Sequence, residues 1–600
     1  MVRYENPWRP HYEAAAVSGW VVIGVLSWGT ADQWGLHEAP FRYLAGFAVV
    51  MTLTWLPGAM RQWQRRSRLR GRPLAFLPPP TLQRTSRQDP DRLWLGWGFD
   101  WEGGHAQLVH DLVRTGPSQM AGSTPERMGA DWIHGLGERE REVRLPLVHT
   151  EGHLLVVGTT GAGKTRLFDL LVTQAALRGE AVVIIDPKGD QDLRMTAERA
   201  CALAGDPGRF VHFHPAFPRD SARIDPLHSF NRATEVASRV AALIPSETGN
   251  DPFKAFGQMA MSNVVQGLLA VGERPSLVTL RRYLEGGAES LVERVLVGYL
   301  GAHVSDWEGE ARPFLRQARD TASRAAGLVR YYRELVRARH PSTVVDGVAN
   351  LFEHERVHFS KMIASLMPIL NMLTSADLGP LLSPDAADTR DPRRLTSMAE
   401  CIDRAQVVYL GLDSLSDTMV GSAIGSILVA DLAAVAGDRY NYGVGLKPVN
   451  VFIDEAAEVV NDPFIQLLNK GRGAGLRLTV ATQTFADFAV RTGSEAKARQ
   501  VLGNINSLIA LRVLDAETQQ YVTDSLPKAR LRSVMLTQGS TTSSHNPLLY
   551  TGNVGERLGE EEGDLFPSAL LGQLPNLHYL ARLAGGRVVK GRLPILGSPK

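Results

Sequence analysis

The chain has 600 residues, 44% hydrophobic and 21% charged, a composition typical of a globular protein with several domains and a large core. The formal net charge of +2 argues against a generally basic protein, so any contact with nucleic acid must come from local patches. The two cysteines, Cys201 and Cys401, form no CxxC pair, which argues against a disulfide framework or a thiolate zinc site and fits a reducing cytoplasm.

Residues 1–60 carry two apolar stretches, Tyr12 to Trp28 and Tyr43 to Ala59, each near the length that crosses a bilayer. The loop between them has no Lys or Arg until Arg42, whereas arginines precede the first stretch and cluster after the second. The positive-inside rule therefore predicts a two-span transmembrane hairpin with both ends in the cytoplasm. A signal peptide or a buried hairpin is the alternative, and the arginine cluster and the lack of a small-residue cleavage site argue against it.

The rest of the chain divides by composition. Residues 61–92 are basic and then Pro-rich, which predicts a linker, and residues 93–228 show strand and helix patterns typical of an α/β domain. Residues 229–396 lack strand signals and have periodic apolar spacing with many Arg/Glu pairs, which predicts an all-α inserted domain. Strand signals resume in residues 397–540, the predicted second part of the nucleotide-binding domain. Residues 541–600 are predicted to form a separate C-terminal segment.

A glycine-rich loop between His153 and Leu171 dominates the first α/β part. An apolar run ends in a complete match to G-x-x-x-x-G-K-[ST], and a helical pattern follows directly. The predicted nucleotide-binding residues are Gly158, Thr159, Thr160, Gly161, Ala162, Gly163, Lys164, Thr165 and Arg166. Backbone N–H groups of such a loop face an anion, Lys164 supplies a charge for the β- and γ-phosphates, and the Thr165 hydroxyl is a ligand for Mg²⁺. A nucleoside triphosphate is therefore the predicted ligand.

A P-loop needs a strand-end carboxylate for Mg²⁺ and an acceptor for the proton of the attacking water. Asp186 ends the strand AVVIID, but Pro187 and Lys188 follow it, so it has no second carboxylate. Asp454 ends VNVFID and is followed by Glu455, which gives one carboxylate for the metal and one for water. We therefore favour Asp454 and Glu455 as catalytic and regard Asp186 as lining the site. The alternative for each acid is that it only caps the next helix.

Two further candidates follow the acidic pair. Gln483 ends the strand LRLTVATQ, where a side-chain amide can sense the γ-phosphate or orient water. Arg472, in the segment NKGRGAGLR between Lys470 and Arg477, is the first candidate for an arginine that reaches the γ-phosphate of a neighbouring subunit. A strand-end glutamine without a role and an ordinary surface salt bridge are the alternatives.

Two histidine patterns are weaker signals. His354, Glu355 and His358 spell HExxH, a zinc spacing, but no third ligand is evident and a charged helix face is the better interpretation. The HFHP segment at His212 is alternating strand sequence, which indicates packing. The sequence has neither the guanine-reading NKxD signature nor an LSGGQ-type signature, which leaves a RecA-like motor among P-loop proteins.

Several segments together resemble the type IV coupling proteins, and within them the TraD-like proteins of integrative conjugative elements. The segments are the apolar hairpin, GTTGAGKTRL, DPKGD, DPFKAF (Asp251 to Phe256), VFIDEAAE, GRGAGLRLTVATQT, and the stretch from Asn504 to Thr518 containing LRVLDAET. The resemblance spans nearly the whole chain, and the combination of the hairpin, the P-loop and GRG…TQT makes it specific. The last sixty residues lack a hallmark of the family.

The resemblance implies a homo-hexamer in the bacterial inner membrane that receives a relaxase-bound DNA strand and uses ATP with Mg²⁺ to move DNA into a secretion channel. Its implied partners are the relaxase or relaxosome and the channel components. By position, Gly158 to Thr165 bind nucleotide, Asp454 and Glu455 form the second acidic motif, and Gln483 the third. No base-reading motif occurs, so we expect single- or double-stranded DNA to bind without sequence specificity and with strong salt dependence.

Two alternatives to a DNA motor for conjugation stay open at this point. In the first, the helical domain docks protein cargo and nucleotide binding only gates assembly. In the second, the chain is a chromosome-partition motor resembling FtsK, which the lack of a long linker and of a winged-helix pattern disfavours.

Overall fold

The computed structural model describes residues 4, 6–33, 38–116, 128–137, 139–244, 252–375, 377–543 and 546–597. The chain begins with two helices, α1 (Tyr12–Gln33) and α2 (Glu38–Arg68), which pack along each other. The rings of Trp20 and Phe47 meet edge to face with centroids 5.5 Å apart. The loop residues 34–37, on which part of the charge asymmetry falls, lie outside the described residues.

Three helices of the described residues are long and apolar enough to cross a membrane: α1, most of α2, and a later helix, Thr418–Tyr442. Only 11% of the apolar window of each N-terminal helix is buried in the protein, whereas 72% of the window in Thr418–Tyr442 is buried. The two N-terminal helices therefore expose apolar side chains around most of their circumference. The third helix is covered by protein.

The prediction that residues 61–92 form a linker is wrong. Helix α2 continues to Arg68, and β1 (Phe76–Leu77) and α3 (Pro79–Gln88) follow it. Leu82 of α3 is fully buried, and the Gln83 side-chain amide donates to the carbonyl of Leu203 at 3.1 Å. The prolines that suggested a spacer occupy the first turn of α3, where a backbone N–H has no helical acceptor to lose.

The first α/β part alternates strands with helices. Its elements are β2 (Arg92–Asp100), α4 (Gly103–Thr115), α5 (Trp132–Gly135), β3 (Arg141–Pro146), β4 (Leu154–Val157), α6 (Lys164–Leu177), β5 (Ala181–Asp186), α7 (Gln191–Leu203), β6 (Phe210–Phe213) and β7 (Arg223–Ile224). Strands β4 and β5 are continuous apolar runs and are buried at every position, as expected for parallel strands covered on both faces.

A helical region follows β7. It consists of α8 (Ala233–Ala241), α9 (Pro252–Ala270), α10 (Leu277–Gly286), α11 (Glu289–His303), α12 (Trp307–Leu315), α13 (Thr321–Tyr331), α14 (Thr343–Glu353), α15 (Arg356–Met362), α16 (Met367–Leu373) and α17 (Gly379–Leu382). The chain returns through β8 (Leu395–Thr396), which pairs in parallel with β7. The entry and exit of the helical region therefore lie side by side.

The second α/β part completes the domain. Its elements are α18 (Met398–Asp403), β9 (Val407–Gly411), α19 (Thr418–Tyr442), β10 (Val449–Ile453), α20 (Asp462–Lys470), β11 (Leu476–Thr482), α21 (Phe485–Thr492), α22 (Glu495–Leu502), β12 (Ser507–Ala510), α23 (Ala516–Asp524), β13 (Lys528–Ser543), β14 (Asn546–Asp564), β15 (His578–Leu583), β16 (Arg587–Arg592) and β17 (Ile595–Leu596).

One large sheet organises both parts. Within the described residues it has 11 strands in the order β3-β2-β16-β15-β12-β4-β11-β10-β5-β9-β6. The strands from β12 to β6 are parallel, and the four from β3 to β15 are antiparallel. This is a RecA-like α/β sheet with an inserted all-α region, and it confirms the predicted fold class.

The boundary predicted between residues 397–540 and 541–600 is also wrong. Strands β13 and β14 form one long antiparallel ribbon that crosses it. Strands β15 and β16 join the central sheet beside β12 and β2, and β17 pairs with β1. The end of the chain is therefore part of the same α/β domain as the strands with which it pairs. Sequence spacing could not reveal this because the partner strands β1 and β2 lie at the other end of the chain.

Candidate nucleotide-binding site

The predicted P-loop joins the end of β4 to the start of α6. The Thr159 N–H donates to the carbonyl of Arg512 at 2.9 Å, and the Gly158 N–H donates to the carbonyl of Thr482 at 3.2 Å. Gly163 has a φ of 118°, and a Cβ at this position would lie 2.8 Å from a methyl carbon of Leu577. The loop is thus fixed by its neighbouring strands, and only glycine fits at its last turn.

Lys164 is buried at the first position of α6. Its Nζ donates to the carbonyl of Gly158 at 2.7 Å, so the ammonium lies inside the curve of the loop. Burial lowers the pKa of Lys164, and the charges of Asp454 and Glu455 oppose this shift. Thr165 and Arg166 lie on the same first turn, and Arg166 faces Asp169 and Asp192 at 3.9 and 3.6 Å.

The parallel strands bring the predicted acids to this edge of the sheet. Asp454 follows β10 directly, and its N–H donates to the carbonyl of Ile185 at 3.0 Å. Burial raises the pKa of Asp454 to about 6, with Asp186 and Glu455 acting in the same direction and Lys164 against it. A nearby cation would therefore stabilise the ionised form of the Asp454 carboxylate.

Glu455 and Gln483 are in direct contact. The Gln483 Nε2 donates to Glu455 Oε1 at 2.5 Å, and the Thr160 hydroxyl of the P-loop donates to Gln483 Oε1 at 3.3 Å. Glu455 has a φ of 42°, an uncommon backbone conformation for a residue with a side chain. The structure therefore brings Thr160, Lys164, Asp454, Glu455 and Gln483 together at one place.

The structure adds a residue that the sequence analysis did not select. Lys188, in the loop after β5, forms an ion pair with Glu455. Asp186 shapes this loop by accepting the backbone N–H groups of Lys188 and Asp190 at 3.0 and 2.7 Å. It also accepts the Tyr409 hydroxyl at 2.7 Å. The DPKGD segment, noted in the sequence for Asp186 and for the family resemblance, was the available signal.

Arg472 lies at the opposite edge of the sheet. It precedes β11, whereas Gln483 follows the same strand, which separates the two by roughly 20 Å at about 3.3 Å per residue. Its side chain is 64% exposed and its Nε lies 3.6 Å from a Glu151 oxygen. Lys470 is also exposed. Arg477, in contrast, is mostly buried, and its guanidinium nitrogen lies 3.1 Å from a carboxylate oxygen of Glu180. Arg472 is therefore remote from the P-loop of its own subunit.

Neither of the two histidine patterns forms a metal site among the described residues. The HExxH segment spans a helix break, since α14 ends at Glu353 and α15 begins at Arg356, although the rings of His354 and His358 stack with centroids 5.4 Å apart. His212 lies on β6 among aromatic rings. Among the described residues, no cluster of three or more His, Cys, Asp or Glu side chains could hold a metal ion.

Fold and site define a RecA-like P-loop nucleotide-binding protein with an inserted helical region. Two family models match it: the type IV secretion-system coupling protein DNA-binding domain over residues 141–334, and the TraM recognition site of TraD and TraG over residues 448–576. Together they cover more than half of the chain and include the P-loop, Asp454, Glu455 and Gln483. The chain belongs to the type IV secretion coupling proteins, which confirms the family resemblance.

Solved structures with a similar fold include coupling proteins. The unbound bacterial conjugative coupling protein TrwBdeltaN70 is 16% identical, over 76% of this chain and 87% of that chain, with a TM-score of 0.49. Plasmid coupling protein TrwB in complex with ADP and Mg²⁺ is 16% identical, over 76% and 89%, with a TM-score of 0.46. VirB4 of Thermoanaerobacter pseudethanolicus is 13% identical, over 74% and 90%, with a TM-score of 0.37. The comparison with curated proteins gives no match.

Proposed function

We propose that this chain is a membrane-anchored ATPase that couples a DNA–relaxase complex to a type IV secretion channel and drives DNA transfer in conjugation. The observation that carries the proposal is the convergence of Lys164, Asp454, Glu455 and Gln483 at the P-loop of a chain in this family. The apolar α1–α2 hairpin is the proposed anchor in the bacterial inner membrane, with both chain ends in the cytoplasm.

The donor set of the site fits a nucleoside triphosphate with a divalent cation. A buried ammonium, that of Lys164, lies within a glycine-rich loop at the start of a helix, where backbone N–H groups and the helix dipole favour phosphate oxygens. Asp454 and the Thr165 hydroxyl are the proposed ligands of Mg²⁺, which supplies charge neutralisation at the phosphates when bound. Gly158 to Arg166 are the proposed contacts to ATP.

The proposed chemistry assigns one role to each side chain. Glu455 accepts the proton of the attacking water, because its carboxylate lies at the strand edge beside Asp454 and is not used by the fold as Asp186 is. Gln483 orients that water, since its amide links the P-loop hydroxyl of Thr160 to Glu455. Lys164 holds the charge that develops on the phosphates.

Arg472 is proposed to act on the nucleotide of a neighbouring subunit in a homo-hexamer. Its position at the far edge of the sheet keeps it away from its own P-loop, and its exposure leaves it accessible to another subunit. An arginine supplied in this way stabilises the charge of the phosphoryl-transfer transition state.

The proposed DNA contact is sequence-tolerant. The family models describe a DNA-binding domain and a TraM recognition site, so DNA and the relaxosome are the partners that they suggest. Contact through lysines and arginines to phosphates predicts binding that weakens steeply with salt. Components of the secretion channel complete the proposed assembly.

The test measures ATP hydrolysis by the full chain in lipid nanodiscs, with and without DNA. We expect DNA to stimulate hydrolysis, Lys164→Ala to abolish it, and Glu455→Gln to lower kcat by about 10²- to 10³-fold while nucleotide still binds. Lys497→Ala, on the exposed face of α22, is the matched control and keeps wild-type rates. Equal rates with and without DNA, or DNA transfer that survives Glu455→Gln, would contradict the motor and favour a nucleotide-gated adaptor.

A further inference from the structure

The carboxylate of Glu455 is held by two donors. Its Oε1 accepts the Gln483 amide at 2.5 Å and also contacts the Lys188 ammonium. The Glu455 side chain is only 12% exposed, so water competes weakly for this oxygen. Its left-handed backbone conformation costs free energy that the surrounding contacts must offset. The position of this carboxylate is therefore set by its partners.

Lys188 reaches Glu455 from a loop with little freedom. Asp186 is fully buried and accepts three donors that fix the loop, namely the N–H groups of Lys188 and Asp190 and the Tyr409 hydroxyl. Gly189 has a φ of 74°, and a Cβ there would lie 2.3 Å from His214 Nε2. These contacts hold the loop in a conformation that places Lys188 against Glu455.

The charge of Lys188 is secured by the same neighbours. Burial opposes the charge, but the hydrogen bond to Glu455 and the charges of Asp454 and Asp186 outweigh it and raise the pKa of Lys188. Lys188 is therefore an ammonium at neutral pH. A carboxylate oxygen engaged by an ammonium is a poorer acceptor for a proton from water.

We propose that Lys188 is a positioning residue that restrains Glu455 in the nucleotide-free subunit, and that the Lys188–Glu455 contact must break before Glu455 accepts a proton. The inference rests on the proposed ATPase function, in which Glu455 is the base. Gln483 connects this restraint to the P-loop, because one end of its amide contacts Glu455 and the other contacts Thr160. Occupation of the P-loop can thereby release the base through Gln483.

The kinetic test compares Lys188→Met, Lys188→Arg and the exposed-surface control Lys497→Met in the full chain. Lys188→Met is expected to lower KM for ATP about tenfold, because ATP binding no longer has to break one charge-assisted hydrogen bond, while kcat changes less than twofold. Lys188→Arg keeps the charge and brings KM back toward the wild-type value.

Two kinetic results would overturn the restraint. A KM increase above fivefold with kcat unchanged would make Lys188 a phosphate ligand. A fall in kcat in Lys188→Met would mean that Glu455 needs Lys188 for its productive position.

A second measurement does not depend on hydrolysis. Thermal unfolding of Lys188→Met, Glu455→Gln and the double variant is followed without nucleotide and with a non-hydrolysable ATP analogue plus Mg²⁺. Without nucleotide, the Tm shift of the double variant should differ from the summed single shifts; with the analogue the shifts should add. Additive shifts without nucleotide would disprove the contact even if hydrolysis is DNA-stimulated. Non-additive shifts in a protein without ATPase activity would retain the contact and reject the proposed function.

Discussion

Charged residues are arranged differently at the two edges of the parallel sheet, one where the strands end and the other where they begin. At the edge that carries the P-loop, four charged side chains interact electrostatically with one another: Lys164, Lys188, Asp454 and Glu455. At the opposite edge, Arg477 is mostly buried and forms an ion pair with Glu180, whereas Arg472 is exposed beside Glu151. The first edge therefore brings together the proposed nucleotide-binding residues, whereas the second leaves the side chain of Arg472 exposed.

The largest effect that separates the edges concerns Arg472. We expect Arg472→Ala to lower ATP hydrolysis of the assembled protein by about 10³-fold, because a transition-state arginine contributes at least that much. Mixing Arg472→Ala with Lys164→Ala subunits should restore part of the rate. The Arg472→Ala subunit supplies an intact P-loop, and a neighbouring Lys164→Ala subunit supplies the arginine. Hydrolysis is measured across a titration of the two variants. A rate that stays at the level of the separate variants would place Arg472 outside the neighbouring site.

A smaller effect concerns the charge of Asp454 at the P-loop edge. Because its folded-state pKa of about 6 lies above the ordinary aspartate value of 3.8, ionised Asp454 costs stability. This cost is absent below about pH 4 and complete above about pH 7. Asp454→Asn, which keeps an acceptor for the Glu455 N–H, should therefore stabilise the protein by about 2–3 kcal/mol at pH 7.5 and by almost nothing at pH 4. Thermal unfolding in EDTA checks this, and an equal gain at both pH values would contradict it.

The smallest effect concerns Arg477, five positions after Arg472 at the second edge. Its guanidinium donates to Glu180, which keeps Arg178 and Asn450 as partners, so Arg477→Met should cost about 1–2 kcal/mol of unfolding free energy. Its hydrolysis rate per folded molecule should equal that of wild type. Chemical denaturation and the ATPase assay together check this. A kcat loss as large as that of Arg472→Ala would show that the edge arginines are not functionally distinct.

Sequence reasoning could predict those residues of the candidate site whose positions follow from short contiguous segments. The P-loop is one contiguous segment, and Asp454 and Gln483 end apolar strands, so the rule that parallel strands end at one edge brings them together. Lys188 was missed because its partner Glu455 lies far along the chain and only the β5–β10 pairing makes them neighbours. The buried α3 was read as a linker because its two prolines also occur in spacers.

Apolar composition by itself determined less than expected about the membrane. Helix α19 is the most apolar of the three long apolar helices, yet it is the one that the protein buries. Helices α1 and α2 differ from it in what surrounds them, since few other elements of the described residues pack on them.

The sequence by itself determined the α/β class, the family, and the position of the glycine-rich loop and of the acid Asp454 at the ends of apolar strands, because each depends on residue order within short segments. Only the tertiary structure decided that the last strands complete the central sheet, that Lys188 contacts Glu455, and that Arg472 is exposed beside Glu151. These features depend on pairing between distant segments. No local propensity or spacing encodes such pairing, since it follows from the sheet order that the whole chain adopts.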